Sequence, residues 1–425
     1  MRLSFFLLVL LFACGTARAE MFVPPQKVIP PSLFGLHIHR LASTTPWPDA
    51  RFNAWSLIDA YVTWNYLQPA KSRWNFSTLD KYVLRSHGKN VEMLYPLAFT
   101  PQWASARPAD KGPYGPGSSA EPLDMNDWNE YVKALVTRYR GRIRYFMVWD
   151  EPNEKAYFSG SQQKLLELVS TAYIAMKRID PDSRMVSPGL VGPSSFAWLD
   201  DFLRNGGAAC VDIIGFHFYP PISDPDKTEQ RPESMIPTAK RVKSIMARYG
   251  IASKPLWNTG VGYWNENSDG TPENTDGVDS RWIRLDQDRA AAWLSRTYIL
   301  SWALGMERVF WYSWDHFNMG LIEPTSKALK PAGKAYQRTF DWLVGSKMTY
   351  CSNDGPQWVC ELTRGKRKAW LVWRTAGNAS TQMPAVWGAK EVLPLLGAGR
   401  ELKRPDQPIM IGEQPVLVKG DTKPW

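Results

Sequence analysis

One segment of the 425-residue chain stands out as a candidate for acid–base chemistry, Trp149-Asp150-Glu151-Pro152-Asn153, which directly follows a short apolar run. A glutamate at the end of a strand, beside a tryptophan and ahead of a proline, is well placed to act as a general acid. Burial against the indole would raise the pKa of Glu151, as a proton donor near neutral pH requires. A structural glutamate that caps the following turn explains the same residues equally well, so this segment alone decides nothing.

The elements that would position this carboxyl group alternate between β-rich and helical runs. Helical periodicity is clearest over Gln162–Ile179, where the apolar residues share one face. A strand followed by a helix, eight times over roughly 300 residues, predicts a (β/α)8 TIM barrel. A doubly wound sheet is the rival, but no glycine-rich phosphate loop follows any strand. The eight strands are predicted at Leu33–His39, Ala60–Trp64, Glu92–Phe99, Tyr145–Trp149, Met185–Gly189, Ile213–Tyr219, Leu256–Thr259 and Val309–Trp314.

The pattern changes near residue 343, which predicts a second domain. Residues 20–343 are expected to form the barrel, and residues 344–425 a small, all-β, sandwich-like domain of short alternating runs. Three long loops, Trp103–Leu123, Pro220–Glu233 and Trp264–Asp286, each follow a barrel strand. They are therefore predicted to lie on the C-terminal face, where barrel enzymes place their chemistry.

The N-terminus predicts export. Met1–Ala19 has the features of a signal peptide, with an early arginine, an apolar stretch and an A-x-A cleavage site that ends at Ala19. A secreted or periplasmic protein without a transmembrane segment is expected after cleavage. Lipidation at Cys14 is the less favoured alternative. Cys351 and Cys360 flank a turn signal, and an oxidising compartment slightly favours a disulfide between them.

The charge and the spacing of the histidines limit the classes of partner and cofactor that the sequence predicts. The net charge is +10, from 51 Lys and Arg against 41 Asp and Glu, but the basic residues are scattered, which argues against nucleic acid. An acidic polysaccharide fits this charge better than nucleic acid, and a merely basic exported protein fits it better than either. The five histidines are dispersed without ligand spacing, so no metal and no cofactor are expected.

Six motifs together give the sequence a family resemblance. The chain resembles the retaining glycoside hydrolases of clan A, specifically family 39 and its bacterial exopolysaccharide-associated relatives. Each motif is weak by itself, but all occur in order and mostly at predicted strand ends. They are Phe34–His39, Trp64–Pro69, Thr100–Ser105, Trp149–Asn153, His217–Tyr219 and Trp311–Trp314.

The resemblance assigns roles to named residues. It implies that Glu151 is the acid/base, and that Asp150 stands where the family has an asparagine that contacts the sugar's 2-hydroxyl. The sugar beside Glu151 would be lined by His37, His39, His217 and Tyr219. Flat indole rings cover the C–H faces of pyranoses, and the candidates for this role are Trp103, Trp264, Trp311 and Trp314.

The chain departs from the family at the expected nucleophile. The family has a glutamate at the end of the seventh strand, and this sequence has Gly260 there. A retaining glycosidase needs two carboxyl groups about 5–5.5 Å apart, and glycine supplies none. Three explanations stay open: an engineered knockout, a natural loss of cleavage, or a replacement carboxylate from the following loop, namely Glu266, Asp269 or Glu273.

Two functions are compatible with these residues. The first is a secreted glycoside hydrolase scaffold for a β-linked polysaccharide or oligosaccharide, with hydrolysis impaired, diverted or rescued at Gly260. The second is a non-catalytic carbohydrate-binding protein of exopolysaccharide metabolism. The convergence of motifs at strand ends disfavours a purely structural protein.

Overall fold

The computed structural model describes residues 19–220, 230–273 and 282–425. All of the predicted signal peptide except its last residue, Cys14 included, lies outside the described residues. Parts of two predicted loops, residues 221–229 and 274–281, also lie outside them. Within the described part of the chain, no helix combines the length and the apolar character needed to cross a bilayer.

The described residues form strands and α-helices in the following order along the chain. The strands are β1 (Glu20–Phe22), β2 (Phe34–His37), β3 (Ala54–Ser56), β4 (Glu92–Leu97), β5 (Tyr145–Val148), β6 (Arg184–Val186), β7 (Ile214–His217), β8 (Leu256–Val261), β9 (Trp264–Asn265), β10 (Arg284–Leu285), β11 (Met306–Trp311), β12 (Lys347–Asp354), β13 (Gln357–Arg364), β14 (Arg367–Arg374), β15 (Ala379–Thr381), β16 (Glu391–Pro394), β17 (Arg400–Glu401), β18 (Ile409–Ile411) and β19 (Val416–Lys419). The α-helices are α1 (Trp64–Leu67), α2 (Ser77–Gly88), α3 (Met125–Arg138), α4 (Gln162–Ile179), α5 (Ser195–Arg204), α6 (Met235–Arg248), α7 (Gln287–Ala303) and α8 (Pro331–Leu343).

Eight parallel strands form the barrel, in the spatial order β6-β5-β4-β3-β2-β11-β8-β7. A parallel bridge between Val186 and Ile213 joins the two ends of this order and closes the sheet. Strands β2, β5, β7 and β8 are buried along their whole length, as expected where a parallel sheet is covered on both faces. The predicted (β/α)8 fold is confirmed.

The second barrel strand lies earlier than predicted. The prediction was Ala60–Trp64, whereas the strand is Ala54–Ser56 and Trp64 begins helix α1. Ala60, Val62 and Trp64 are buried and Tyr61 is exposed, but the chain here is irregular, because Asp59 and Tyr61 have φ angles of 60° and 58° that interrupt an extended backbone. Burial was therefore mistaken for strand geometry.

The predicted helix Gln162–Ile179 is confirmed with the same bounds as α4. The side chain of Ser161 caps its N-terminus by accepting a hydrogen bond from the Lys164 backbone amide at 3.1 Å. The apolar face that the periodicity indicates packs into the core through Leu165, Leu168, Val169, Ala172 and Met176.

The C-terminal strands form an antiparallel sheet in the order β1-β12-β13-β14-β19-β16-β17, and β15 pairs with β18. Strand β1 joins this sheet by pairing with β12, although its residues fall within the range predicted for the barrel. Cys351 and Cys360 face each other across β12 and β13 and form a disulfide. The buried guanidinium of Arg296 in α7 binds Glu233, which also accepts a hydrogen bond from the Trp373 indole of the β-sheet at 3.2 Å.

Candidate active site

The backbone turns sharply where β5 ends and presents Glu151. Trp149 and Glu151 have φ angles of 66° and 48°, a region that residues other than glycine rarely adopt. The Glu151 amide donates to the Gly189 carbonyl at 2.8 Å, and the Trp149 indole donates to the Tyr157 carbonyl at 2.8 Å. Such backbone strain persists where the surroundings hold it in place, and it is concentrated at functional sites.

His217, at the end of β7, lies between two carboxyl groups. Its Nδ1 lies 2.9 Å from Oε1 of Glu151, and its Nε2 lies 3.3 Å from Oδ1 of Asp150. Burial by itself would lower the pKa of the imidazole, but the two carboxylates outweigh burial and raise the pKa of His217 to about 10. The ring is therefore an imidazolium that holds both carboxyl groups in place.

Burial also sets the proton affinity of Glu151. Burial is the largest cause and raises the pKa of the Glu151 carboxyl, while the hydrogen bond and charge of His217 oppose this effect. The neighbouring charges of Asp150 and Asp59 raise the pKa further. A carboxyl group with a raised pKa is suited to donate a proton near neutral pH, as the sequence predicted.

At the end of β8, the ring of His217 packs directly on Gly260. A Cβ atom at position 260 would lie 3.0–3.1 Å from three ring atoms of His217. A Cβ at Gly189 would also approach this ring, reaching Nε2 at 2.5 Å. Two positions without side chains thus make room for the imidazolium, and position 260 offers no group that could attack a sugar.

The three loop carboxylates predicted as replacements are bound elsewhere. Asp269 accepts hydrogen bonds from the backbone amides of Thr271, Thr325 and Ser326 at 2.9–3.0 Å. Glu273 binds Arg284 at 2.7 Å, and Glu266 lies 3.8 Å from the same guanidinium. The structure therefore does not bring Glu266, Asp269 or Glu273 to Gly260.

These groups line a pocket of about 460 Å³ at the C-terminal end of the barrel. His37 contributes a neutral imidazole, because burial, and then the charge of His39, hold its pKa well below the usual value. Its Nε2 donates to the Thr259 carbonyl at 3.1 Å, which leaves Nδ1 as an acceptor for a ligand hydroxyl. Five aromatic side chains complete the wall: Tyr114, Tyr157, Tyr219, Trp282 and Tyr312.

Comparison with known proteins gives the same family as the motifs. The model of "Glycosyl hydrolases family 39" matches residues 51–278, which is more than half of the chain. This protein belongs to glycosyl hydrolase family 39. The resemblance predicted from the sequence is confirmed.

The curated relatives of this family 39 protein align with only part of its chain. It is 25% identical over 205 residues to a beta-xylosidase from Geobacillus stearothermophilus, over 44% of this chain and 40% of the relative. It is 26% identical over 244 residues to endo-1,4-beta-xylanase B from Thermotoga neapolitana, over 50% of this chain and 65% of the relative. The chain thus spans less than two thirds of either relative.

Solved structures share the fold over nearly the whole chain. A family 39 glycoside hydrolase from Bacteroides cellulosilyticus WH2 matches with a TM-score of 0.67 and 18% identity, over 92% of this chain and 82% of that one. The GH39 enzyme from Xanthomonas axonopodis pv. citri matches with a TM-score of 0.63 and 17% identity, over 93% and 95%. At these identities the likeness concerns the fold alone.

The structure brings six of the predicted site residues together around the pocket. His39 lies just behind them, with its Nε2 atom 3.6 Å from Oδ2 of Asp59 and its ring 5.0 Å from that of Tyr312. The six that line the pocket are His37, Asp150, Glu151, His217, Tyr219 and Gly260.

The four predicted tryptophan platforms do not line this pocket. Trp103 packs edge-on against Trp64, and its indole donates to the Gln68 carbonyl at 2.8 Å. The other three, Trp264, Trp311 and Trp314, are only 8%, 1% and 4% exposed, so their rings belong to the packed interior. Trp311 and Trp314 belong to the hydrophobic core, and Trp103 is partly buried against it.

Among the acidic and aromatic residues that line the pocket, five were not predicted from the sequence. Asp59 follows β3, so a correct position for that strand would have placed it at a strand end. Tyr312 was quoted within a motif, yet alternation along β11 points it into the pocket when Trp311 faces the core. The remaining three lie in loops, and no local pattern marks which loop residue reaches the pocket, although two of these loops were predicted to lie on this face; they are Tyr114, Tyr157 and Trp282.

One cluster could in principle hold a metal ion, although none was expected. Asp150, Glu151 and His217 each offer a ligand atom, and these atoms lie within 4.8 Å of one another. A bound metal would have to replace the proton that His217 holds between the two carboxyl groups. Without a metal, the cluster is two ion pairs that share His217, and the one to Glu151 is also a hydrogen bond.

Proposed function

We propose that this protein is a glycoside hydrolase that acts on a neutral, β-linked oligosaccharide or polysaccharide, with Glu151 as the general acid. One observation carries the proposal. Glu151 lies on a strained turn at a barrel strand end, partly buried and hydrogen-bonded to His217, inside a pocket of about 460 Å³ with an aromatic wall. Membership of family 39 and the names of the xylan-degrading relatives support β-xylosides as the first substrates to test.

The pocket offers the contacts that a sugar needs. Burial raises the pKa values of the Tyr219 and Tyr312 hydroxyls well above the usual value, so both stay neutral and can donate hydrogen bonds. His37 Nδ1 can accept one, and the aromatic faces can cover C–H groups of a pyranose. Glu151 would protonate the glycosidic oxygen as the bond to the leaving sugar breaks.

The charges in the pocket favour a neutral sugar over an acidic one. Three carboxyl-bearing residues, Asp59, Asp150 and Glu151, are among the described lining residues. A uronic acid would bring a like charge into a partly desolvated site, which is unfavourable. The chain is positively charged overall, but acidic residues line the pocket where the sugar would bind.

The residue at position 260 does not allow the usual retaining mechanism. A covalent glycosyl-enzyme needs a nucleophile there, and Gly260 has no side chain. This observation also favours a second candidate, a carbohydrate-binding protein that no longer cleaves. The two candidates share the pocket and differ in turnover.

Export is also part of the proposal. The apolar stretch and A-x-A site of Met1–Ala19 support a cleaved signal peptide, with lipidation at Cys14 as the alternative. The disulfide between Cys351 and Cys360 suits an oxidising compartment. Mass spectrometry of the mature protein from an expressing bacterium separates cleavage after Ala19 from lipid attachment.

The decisive experiment measures binding and cleavage in parallel. Calorimetric titration with xylobiose and xylotetraose, and hydrolysis of aryl β-xylosides and β-glucosides, are compared for the wild type, Glu151→Gln and Glu167→Gln. Glu167 is a matched control because it pairs with Lys164 on the exposed surface of α4. Cleavage that is lost only in Glu151→Gln supports the hydrolase. Binding without cleavage favours the second candidate, and neither binding nor cleavage of any tested sugar overturns both.

A further inference from the structure

Both usual routes of glycoside hydrolysis use a second carboxylate besides the general acid. Gly260 provides none, and the loop carboxylates are bound elsewhere. Asp150 shares His217 with Glu151 and is its neighbour in the chain, so it lies on the same side of the site. Among the described lining residues, the remaining carboxylate is Asp59, which comes from the end of a different strand, β3.

Asp59 is held in place by its surroundings. The Tyr114 hydroxyl donates to its Oδ1 at 2.5 Å, and His39 Nε2 lies 3.6 Å from its Oδ2. Its backbone φ of 60° is strained for a residue other than glycine. The side chain is 23% exposed, so it is fixed yet still open to the pocket.

The charge of Asp59 acts across the pocket. It raises the pKa values of Glu151, Tyr157, Tyr219 and Tyr312, which come from three other strand ends and one loop. Burial is the largest cause at each of these groups, and Asp59 adds to it. Asp59 and these four groups line the same pocket.

From this placement we propose that Asp59 is the general base of an inverting glycoside hydrolysis in which Glu151 is the acid. The inference rests on the function proposed above and adds its stereochemistry. In an inverting enzyme the two carboxyl groups lie about 6.5–9.5 Å apart, which leaves room for a water molecule beside the sugar.

The step balances without any further reactant. A water oxygen forms the new bond to the anomeric carbon as the bond from that carbon to the glycosidic oxygen breaks. Asp59 takes one proton from the water, and Glu151 gives its proton to the departing oxygen. A β-glycoside and water thus become an α-hemiacetal and an alcohol, and solvent exchange returns the proton from Asp59 to Glu151.

Tyr114 is a positioning residue in this scheme, because it acts through Asp59. Its hydroxyl is neutral, since burial, and then the charge of Asp59, raise its pKa well above the usual value. Tyr114→Phe should lower kcat while leaving KM within about threefold, since general-base geometry affects the chemical step more than binding.

The test follows the configuration of the first product by proton NMR during hydrolysis of an aryl β-xyloside, or of whichever aryl β-glycoside is cleaved fastest. We expect the α-anomer first, with the β-anomer growing only through mutarotation. Asp59→Asn should lower kcat by about 10²–10⁴-fold, the usual range for loss of a general base. Asp201→Asn is the matched control, because Asp201 lies on the exposed surface of α5 and pairs with Arg204.

Each outcome of these measurements either supports or overturns the role of Asp59. Initial formation of the β-anomer, or a folded Asp59→Asn variant with wild-type kcat, overturns the role of Asp59 while the proposed hydrolase stands. Failure of the wild type to cleave any glycoside overturns the hydrolase and the base together. The anomer measurement uses the wild type, so it remains decisive even if Asp59→Asn does not fold.

Discussion

The ends of β5 and β8 form two sides of one pocket, yet they are built in opposite ways. The end of β5 carries Glu151 on a strained turn, with its side chain partly buried and its carboxyl group bound to His217. The end of β8 carries Gly260, and the same histidine ring packs against its bare backbone. The barrel supports both endings equally well, which shows that the scaffold fixes where chemistry can occur while single side chains decide whether it does.

The largest effect should come from the β5 side. Glu151→Gln removes the proposed proton donor, and kcat for substrates with poor leaving groups should fall by about 10²–10⁴-fold. A substrate with a very good leaving group, such as a dinitrophenyl β-xyloside, needs little protonation and should lose much less. Steady-state kinetics across a series of leaving groups checks this. An equal loss for all leaving groups would mean that Glu151 does not act as the acid.

A second variant tests whether the space around His217 is as tight as the geometry indicates. In Gly189→Ala the new Cβ would meet His217 Nε2 at 2.5 Å and Asp150 Oδ1 at 3.0 Å, so the triad must shift. Overpacking of this kind should lower the free energy of unfolding by about 1–3 kcal/mol. Gly88→Ala is the control, because nothing lies within 4 Å of its added Cβ. Equal stabilities of the two variants in chemical denaturation would contradict the packing.

The charge on His217 makes a prediction about pH. Its folded pKa of about 10 exceeds the ordinary 6.5, so its stabilising contribution is fully present below pH 6.5 and is lost as pH rises to about 10. This one group can lower the free energy of unfolding by up to about 1.4 kcal/mol per pH unit in that window. Denaturation of wild type and His217→Asn from pH 6.5 to 10 should show a flatter dependence in the variant.

His87→Asn serves as the control for this titration, because His87 lies near the exposed end of α2. It should keep the pH dependence of the wild type. A His217 imidazole that titrates near 6.5 by NMR would show that the two carboxylates do not hold its proton.

The smallest effect should come from the β8 side. In Gly260→Ala the added Cβ would lie 3.0–3.1 Å from the His217 ring, so a displacement of a few tenths of an ångström suffices. The free energy of unfolding should change by less than about 1 kcal/mol, because this crowding is offset by the lower chain entropy of alanine in the unfolded state. Activity should stay within about threefold of the wild type. A loss of a hundredfold or more would mean that substrate touches the backbone at position 260.

Much of the fold could be predicted because it depends on local patterns. Buried parallel strands appear as short apolar runs, and α4 shows its buried face in its periodicity. The strand at Ala54–Ser56 could not be found in this way, because it has only three residues and the longer apolar segment after it is mostly buried without being extended. That one displacement also hid Asp59, since its importance depends on its place at a strand end.

The residues of the candidate site also fall into two groups, those that local sequence patterns predict and those that they do not. Glu151, His217 and Gly260 could be named from motifs, because each stands beside a recognisable strand. Tyr114 and Trp282 could not, because they come from loops whose paths depend on tertiary packing. The four tryptophans predicted as sugar platforms were named from residue type alone. Residue type cannot distinguish a ring that lines a pocket from one that packs in the interior.

The sequence by itself determined the barrel, the family and the carboxyl group at the end of β5, since strand periodicity and strand-end motifs are properties of neighbouring residues. Only the tertiary structure decided that His217 binds both Asp150 and Glu151, and that Asp59 faces the same pocket. The physical reason is that pKa values and hydrogen bonds depend on distances between residues far apart in the chain. The closure of the barrel sets those distances, and local sequence patterns do not predict them.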